Sequence, residues 1–155
     1  GQAIAVVSPG DEARTDILEQ SGWTVIINDK ASEGQARSIA AALRALEPND
    51  DIDQIVILLG DMPRVPSAHI AELLRQACHP SVRAIMTTCD ETRSPPALFK
   101  RDLFQALSGL TGDRGAKSVF NSMKDGAMTL QLSTGAGLDI DCIADLERAR
   151  ETEHA

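Results

Sequence analysis

The sequence predicts an α/β domain with a mainly parallel, doubly wound sheet. Strand-like and helix-like segments alternate along most of the 155 residues. Residues 55–59 form a continuous apolar run, which is typical of a central strand buried on both faces of a parallel sheet. Gly60 and Asp61 follow this run directly. Because ligands of open α/β sheets bind beyond the carboxyl ends of the strands, Asp61 occupies the position of a site residue.

The first half of the chain predicts two strand-to-helix units. Residues 3–7 are an apolar run ended by a Ser-Pro-Gly turn, and residues 11–20 have the one-sided apolar pattern of a helix. Gly22 ends that helix, and residues 23–27 are rich in β-branched side chains. After a polar loop, residues 36–46 carry apolar side chains at helical spacing.

The second half continues the alternation. Ser67 begins a predicted helix that runs to about Cys78. The further predicted strands are residues 83–88, 97–99 and 128–132, and the further predicted helices are residues 101–107, 115–122 and 143–150. One domain over residues 1–150 is expected, with residues 151–155 as a charged, disordered tail.

Composition excludes several classes of function. A net charge of −8, without a local cluster of Lys and Arg, argues against a nucleic-acid partner. No run of eighteen apolar residues and no basic-then-apolar leader occurs, so we expect no membrane association and a soluble, cytoplasmic protein. The cysteines, Cys78, Cys89 and Cys142, lack metal-binding spacing and are expected to be reduced thiols.

Two segments of the sequence contain aspartates that are candidate cation ligands. Asp61, held between Gly60 and Pro63, suits Mg²⁺, although a turn or helix-capping role explains it equally well. Asp139 and Asp141 place two carboxylates on the same side of an extended segment, where the alternative is a turn followed by a helix cap.

Two loops are candidate ligand-binding segments. Asn28, Glu33, Gly34 and Ser38 lie in a loop and at a helix start, where they suit a base, ribose or phosphate, or serve simple loop and capping functions. Residues 111–116 place two glycines around a charged pair before a helix, which weakly indicates an anionic ligand. His69, His79 and His154 fit no nucleophilic pattern and are interpreted as surface or core histidines.

Five sequence blocks, taken in their order along the chain, resemble the molybdenum-cofactor cytidylyltransferases and the related guanylyltransferases. The most specific is Leu58-Leu59-Gly60-Asp61-Met62-Pro63. The others are Asn28 with Glu33-Gly34 and Ser38-Ile39, Pro96-Ala97-Leu98-Phe99, Leu110-Thr111-Gly112-Asp113-Arg114-Gly115-Ala116, and Asp139-Ile140-Asp141 with Asp145-Leu146. The blocks extend over most of the chain.

The resemblance implies a three-layer Rossmann-like nucleotidyltransferase fold and a reaction. CMP or GMP would pass from CTP or GTP to the terminal phosphate of molybdopterin, with release of pyrophosphate and with Mg²⁺ as cofactor. It implies Asp61 and Asp141 as catalytic metal ligands, Asn28, Glu33, Gly34, Ser38 and Gly60 as nucleotide-binding residues, and Pro96, Gly112, Asp113 and Gly115 as acceptor-binding residues. A molybdoenzyme or its chaperone is the implied protein partner.

The sequence departs from this family at three places. No segment matches the opening loop Leu-Ala-Ala-Gly-x-Ser-x-Arg-Met-Gly, so we expect the first strand and the phosphate loop to be lacking and this chain alone to bind nucleoside triphosphate weakly. Ser94-Pro95-Pro96 replaces Gly-His-Pro, and Cys142-Ile143-Ala144 replaces Thr-Pro-Glu. Three hypotheses remain open. The first is a CTP-using enzyme whose loop lies outside the given sequence or is supplied by another chain. The others are a non-catalytic binding module and transfer to a different phosphorylated acceptor.

Overall fold

The structure, a computed structural model, describes residues 1–89, 91–112, 115–133, 135–140, 142–145 and 147. It confirms the α/β class. Two compact units are present, one made of residues 1–53 and 100–122 and the other of residues 54–99 with the described part of 123–155. Among the described residues, no helix is long and apolar enough to cross a bilayer.

The first unit begins with a parallel strand pair. Strands β1 (Ile4–Val7) and β2 (Thr24–Ile27) pair in register from Ile4 opposite Thr24, and helix α1 (Glu12–Gln20) connects them. Asp11 caps α1 by accepting from the Arg14 amide at 3.3 Å. A 3₁₀ turn (Ala31–Glu33) leads into helix α2 (Gln35–Leu46).

Helix α2 supplies much of the core of this unit. Its fully or nearly buried side chains are Ala36, Ile39, Ala40, Ala41 and Leu43. They recur at the spacing of one helical face, which packs on β1 and on helix α4 (Phe104–Ser108). A 3₁₀ turn (Arg101–Leu103) precedes α4, and helix α5 (Ala116–Ser122) follows it.

The second unit contains a mixed sheet covered by one helix. Its strands are β3 (Gln54–Ile57), β4 (Ala84–Cys89), β5 (Thr92–Lys100) and β6 (Ala127–Gln131), in the order β3-β5-β4-β6. Strand β4 is antiparallel to β5 and parallel to β6. Helix α3 (Ser67–Ala77) buries His69, Leu73 and Ala77, three side chains spaced four residues apart on one face. Leu73 and Ala77 join Val82, Ile85 and Leu98 in the core.

The predicted central strand is wrong in its extent and its place. Strand β3 ends at Ile57 rather than Leu59, and it lies at one end of the order of its four-stranded sheet. All four of its residues are only partly buried, and Leu58 beyond it is 46% exposed. The apolar run therefore reflects residues that leave the strand and line a neighbouring cavity, in addition to those in the sheet.

Strand β5 is longer than the predicted residues 97–99. It spans Thr92–Lys100 and includes Pro95 and Pro96, which lack the N–H groups of a regular ladder. The pairing accommodates them, because the partner of Met86 is Ala97 and the partner of Thr87 is Ser94. The two prolines thus lie in a β-bulge outside the ladder with β4. Of the predicted closing helix, residues 143–145 and 147 are helical, and the rest lies outside the described residues.

Candidate functional site

Asn28 and Ser38, two predicted nucleotide-binding residues, are in direct contact in the first unit. Asn28 follows β2 and continues the strand pairing, since its amide donates to the Val7 carbonyl at 2.8 Å. Its side-chain Nδ2 donates to Ser38 Oγ at 3.1 Å, and its Oδ1 accepts from the Lys30 amide at 3.1 Å. The side chain is buried, with 6% exposure. These bonds fix the loop between β2 and α2 against the first turns of that helix.

Gly34 shapes the start of α2. Its φ of 103° and ψ of 168° lie in a region that is essentially confined to glycine. It occupies the N-cap, where glycine offers no side-chain acceptor to the amides of the first turn. Such amides, at the positive end of a 12-residue helix, suit an anionic group.

Glu33, also predicted to bind nucleotide, has a local ionic partner. Its Oε2 lies 2.7 Å from Arg37 Nε, and both side chains are partly exposed. A pair of this kind on the surface contributes little stability. It places a guanidinium beside the α2 start, a feature that the sequence reasoning did not anticipate.

Gly115 lies against the same helix start. A Cβ atom added to Gly115 would overlap the side-chain oxygen of Gln35, the first residue of α2. The predicted acceptor segment and the predicted nucleotide loop therefore meet at Gln35, which sequence reasoning missed. Gly112 has a φ of 63° and open space around it, and Asp113 lies outside the described residues.

Asp61 lies in the second unit, in the turn that follows β3, beside Gly60. Its backbone carbonyl accepts from the Ile140 amide at 2.9 Å, so the predicted Asp-x-Asp segment reaches this turn. Its side-chain Oδ1 is buried and has no hydrogen-bond partner among the residues that the structure describes. Asp139 is exposed, and Asp141 lies outside the described residues, so the expected approach of Asp61 and Asp141 stays a prediction.

The unpartnered oxygen of Asp61 fits a divalent cation. A buried carboxylate oxygen without a donor is costly, and a hard cation is the partner that would satisfy it. No group of three or more His, Cys, Asp or Glu is suitably placed within the described part of the chain. Asp61 would therefore hold the ion together with ligands from the substrate or from Asp141.

An apolar cavity of about 130 Å³ adjoins this turn. Its lining residues are Leu58, Leu59, Met62, Val65, Ile70 and Pro96. Met62 follows Asp61 directly, and Pro96 is a predicted acceptor-binding residue. None of the lining residues is charged, so the cavity suits an uncharged group.

A buried hydrogen-bond chain reaches Pro96 from helix α3. His69 Nε2 lies 2.8 Å from Thr87 Oγ1, and Thr87 Oγ1 donates to the Pro96 carbonyl at 2.6 Å. Burial lowers the pKa of His69 below 6.5, and Glu72 one turn away opposes that shift. Of the two alternatives predicted for this histidine, surface or core, His69 is therefore a core residue. The Pro-Pro pair was the one sequence signal that could have indicated this arrangement.

Residues 2–127 match the family described as the MobA-like NTP transferase domain. The chain belongs to this family. It is also similar to the purine catabolism protein PucB of Bacillus subtilis (strain 168), with 29% identity over 133 residues that cover 84% of this chain and 63% of that protein. The chain thus spans less than two thirds of the length of this curated relative.

Solved structures show that the fold is that of MobA-like and related nucleotidyltransferases. Rv0371c of Mycobacterium tuberculosis H37Rv, in complex with manganese, matches with a TM-score of 0.79 and 23% identity, over 97% of this chain and 78% of that one. A 4-diphosphocytidyl-2C-methyl-D-erythritol synthase matches with a TM-score of 0.73 and 19% identity, over 99% and 82%. Molybdopterin-guanine dinucleotide biosynthesis protein A of Archaeoglobus fulgidus matches with a TM-score of 0.66 and 18% identity, over 96% and 78%. The predicted family and Rossmann-like fold are therefore confirmed.

Proposed function

We propose that the chain forms part of the catalytic domain of a nucleotidyltransferase that acts in molybdenum cofactor biosynthesis. That enzyme transfers CMP or GMP from CTP or GTP to the terminal phosphate of molybdopterin. Membership of the MobA-like family supports the reaction class, and the five sequence blocks support this acceptor. The observation that carries the proposal is the buried, unpartnered Oδ1 of Asp61 after β3.

The transfer is a single displacement at phosphorus. A terminal phosphate oxygen of the acceptor forms a bond to the α-phosphorus, the bond between this phosphorus and the bridging oxygen breaks, and pyrophosphate leaves. The protein contributes by positioning the reactants and by stabilising charge. A bound Mg²⁺ or Mn²⁺ supplies neutralisation of the phosphate oxygens. Asp61 holds it, with Asp141 as the proposed second ligand.

The remaining proposed roles follow the local geometry. Asn28 and Ser38, bonded to each other, present a fixed polar surface to the base and ribose. The uncapped amides after Gly34 face an anionic group, and Glu33 contributes with its partner Arg37. Gly60, the proposed nucleotide-binding residue before Asp61, borders open space, since no atom lies within 4 Å of a Cβ added there.

The PucB relationship favours a second candidate function. PucB carries the name of a purine catabolism protein, and the similarity covers most of this chain. In that case the same nucleotidyl transfer would serve an enzyme of purine catabolism. A non-catalytic binding module is the third possibility, and the experiment below separates it from both enzymes.

The test compares Asp61→Asn with Asp16→Asn in the full protein that contains these residues. Asp16 is an exposed carboxylate of α1 and is the matched control. We expect Mn²⁺ affinity, measured by electron paramagnetic resonance, to fall about ten- to a hundredfold in Asp61→Asn, the loss that removal of one charged contact brings. Pyrophosphate release with CTP or GTP and molybdopterin should fall with it.

Two outcomes would contradict the proposal. Equal Mn²⁺ affinity in the Asp61→Asn and Asp16→Asn proteins would remove the metal role of Asp61. Binding of Mn²⁺ without any pyrophosphate release from the wild-type protein would indicate a binding module. Loss of the fold is not expected to explain the result, because asparagine has the size of aspartate and the Oδ1 atom has no hydrogen-bond partner among the described residues to lose.

A further inference from the structure

The bulge in β5 leaves the Pro96 carbonyl outside the strand ladder. Met86 pairs with Ala97 and Thr87 pairs with Ser94, so neither Pro95 nor Pro96 has a ladder partner on β4. Pro96 is fully buried, and a buried carbonyl without a donor is unfavourable. Thr87 supplies the donor from its side chain, at 2.6 Å. Bulges of this kind re-aim side chains next to sites.

The direction of the second hydrogen bond follows from the first. The Thr87 hydroxyl has one proton, and the Pro96 carbonyl can only accept. Nε2 of His69 must therefore be the donor to Thr87 Oγ1. His69 is held as the Nε2–H tautomer, and the chain of donors runs from α3 through β4 to the bulge of β5.

The Pro96 wall of the cavity presents no hydrogen-bond donor, and its acceptor is already engaged once. Proline has no N–H, and the carbonyl of Pro96 already accepts from Thr87. The other lining residues are apolar, and the volume of about 130 Å³ is close to that of a cavity that binds one aromatic ring. An uncharged ring fits such a space, and a triphosphate does not.

We propose that His69 is a positioning residue which, through Thr87, fixes the Pro96 wall of a subsite for an uncharged ring of the acceptor. The inference rests on the proposed function, because it assigns this cavity to the substrate that receives the nucleotide. His69 touches neither substrate nor metal in this account. Its effect is to set the shape of the wall at Pro96.

The chain offers a closely matched set of variants. His69→Leu and Thr87→Val break the two hydrogen bonds. His69→Gln keeps an N–H donor at a similar distance along the side chain and should restore the contact. Thr88→Val is the control, since Thr88 is the next residue of β4 and its buried hydroxyl has no partner.

The first measurement is kinetic. We expect His69→Leu and Thr87→Val to raise the KM for the acceptor about tenfold, while kcat and the KM for CTP stay within about twofold. The His69→Gln and Thr88→Val proteins should behave as wild type. A uniform fall in kcat with both KM values raised, in step with a lower melting temperature, would show a merely structural role and overturn the inference.

The second measurement does not depend on activity. Nitrogen-15 shifts of the His69 ring, recorded on the full protein, should report the Nε2–H tautomer, and the Nδ1–H tautomer would overturn the inference. Failure of the proposed function is distinguishable from this result. In that case the wild-type protein itself transfers no nucleotide, whereas failure of this inference alone leaves wild-type transfer intact and the acceptor KM unchanged in His69→Leu.

Discussion

At the scale of single residues, the buried polar groups fall into two kinds. Asn28, His69 and Thr87 are buried and have partners, which fixes their orientation. Asp61 Oδ1 and Thr88 Oγ1 are buried without a partner. An unmet carboxylate costs far more than an unmet hydroxyl, so a compensating ligand is expected at Asp61 and none is required at Thr88.

Stability should depend on pH through His69. Burial lowers its pKa in the folded protein below the 6.5 of the unfolded chain. Between these two values the unfolded chain binds more protons, so the free energy of unfolding falls as pH drops through and below about 6.5. Urea unfolding between pH 7 and pH 5 should show this loss in the wild-type protein, and a weaker one in His69→Gln.

The His69→Gln protein itself provides the control for this titration, since glutamine keeps a hydrogen-bond donor but takes up no proton. Parallel curves for the wild-type and His69→Gln proteins would contradict the prediction, because they would show that His69 takes up its proton equally in both states.

At the scale of elements, the sequence predicted most helices and strands but misjudged two strands. Within the described part of the chain, patterns of apolar residues located the others to within one or two residues. The length of strand β5 was underestimated because Pro95 and Pro96 are residues that usually end a strand. The pairing of Thr87 with Ser94 shows that the sheet accommodates them in a bulge. The length of strand β3 was overestimated because Leu58 and Leu59, although apolar, lie beyond the strand and line the cavity.

The candidate site was predictable in part for the same reason. A residue after a strand, such as Asp61, is identifiable from order along the chain. The contacts of Gln35 with Gly115 and of Ile140 with Asp61 join distant segments, and no local pattern encodes such partners. Spacing alone therefore located the turn but not what packs against it.

The start of α2 should require glycine at position 34. With a φ of 103° and a ψ of 168°, Gly34→Ala is expected to lower the free energy of unfolding by about 1–3 kcal/mol. Gly60→Ala is the stability control, because Gly60 has open space and no positive φ, and should change stability by no more than about 0.5 kcal/mol. Equal denaturation midpoints for the two variants would argue against the unusual backbone at Gly34.

At the scale of the whole molecule, charge governs which ligands approach. The chain has 15 basic and 23 acidic residues, a formal net charge of −8. An anionic nucleotide therefore meets a repulsive field unless a cation offsets it. Composition alone was sufficient to predict this property. The proposed choice of acceptor, in contrast, depends on the shape of one cavity, and amino-acid composition carries no information about that shape.

Nucleotide binding should accordingly depend on divalent metal. Calorimetry of the full protein with CTP is expected to show binding with Mg²⁺ and a large loss on adding EDTA. Raising KCl should not restore it, because screening weakens repulsion but supplies no ligand to the phosphates. Uncharged cytidine is the control and should bind equally with and without EDTA. Undiminished binding of CTP in EDTA would exclude metal-mediated recognition.

The hydrogen bond from Ile140 to the Asp61 carbonyl also has a consequence for synthesis on the ribosome. Strand β3 and its turn are translated well before Ile140, the residue that fastens the turn. At roughly 5–20 residues per second, the Asp61 turn waits several seconds before its partner leaves the exit tunnel. The nascent chain therefore carries an unfastened acidic turn during that interval, and the proposed cation site can form only after Ile140 has emerged.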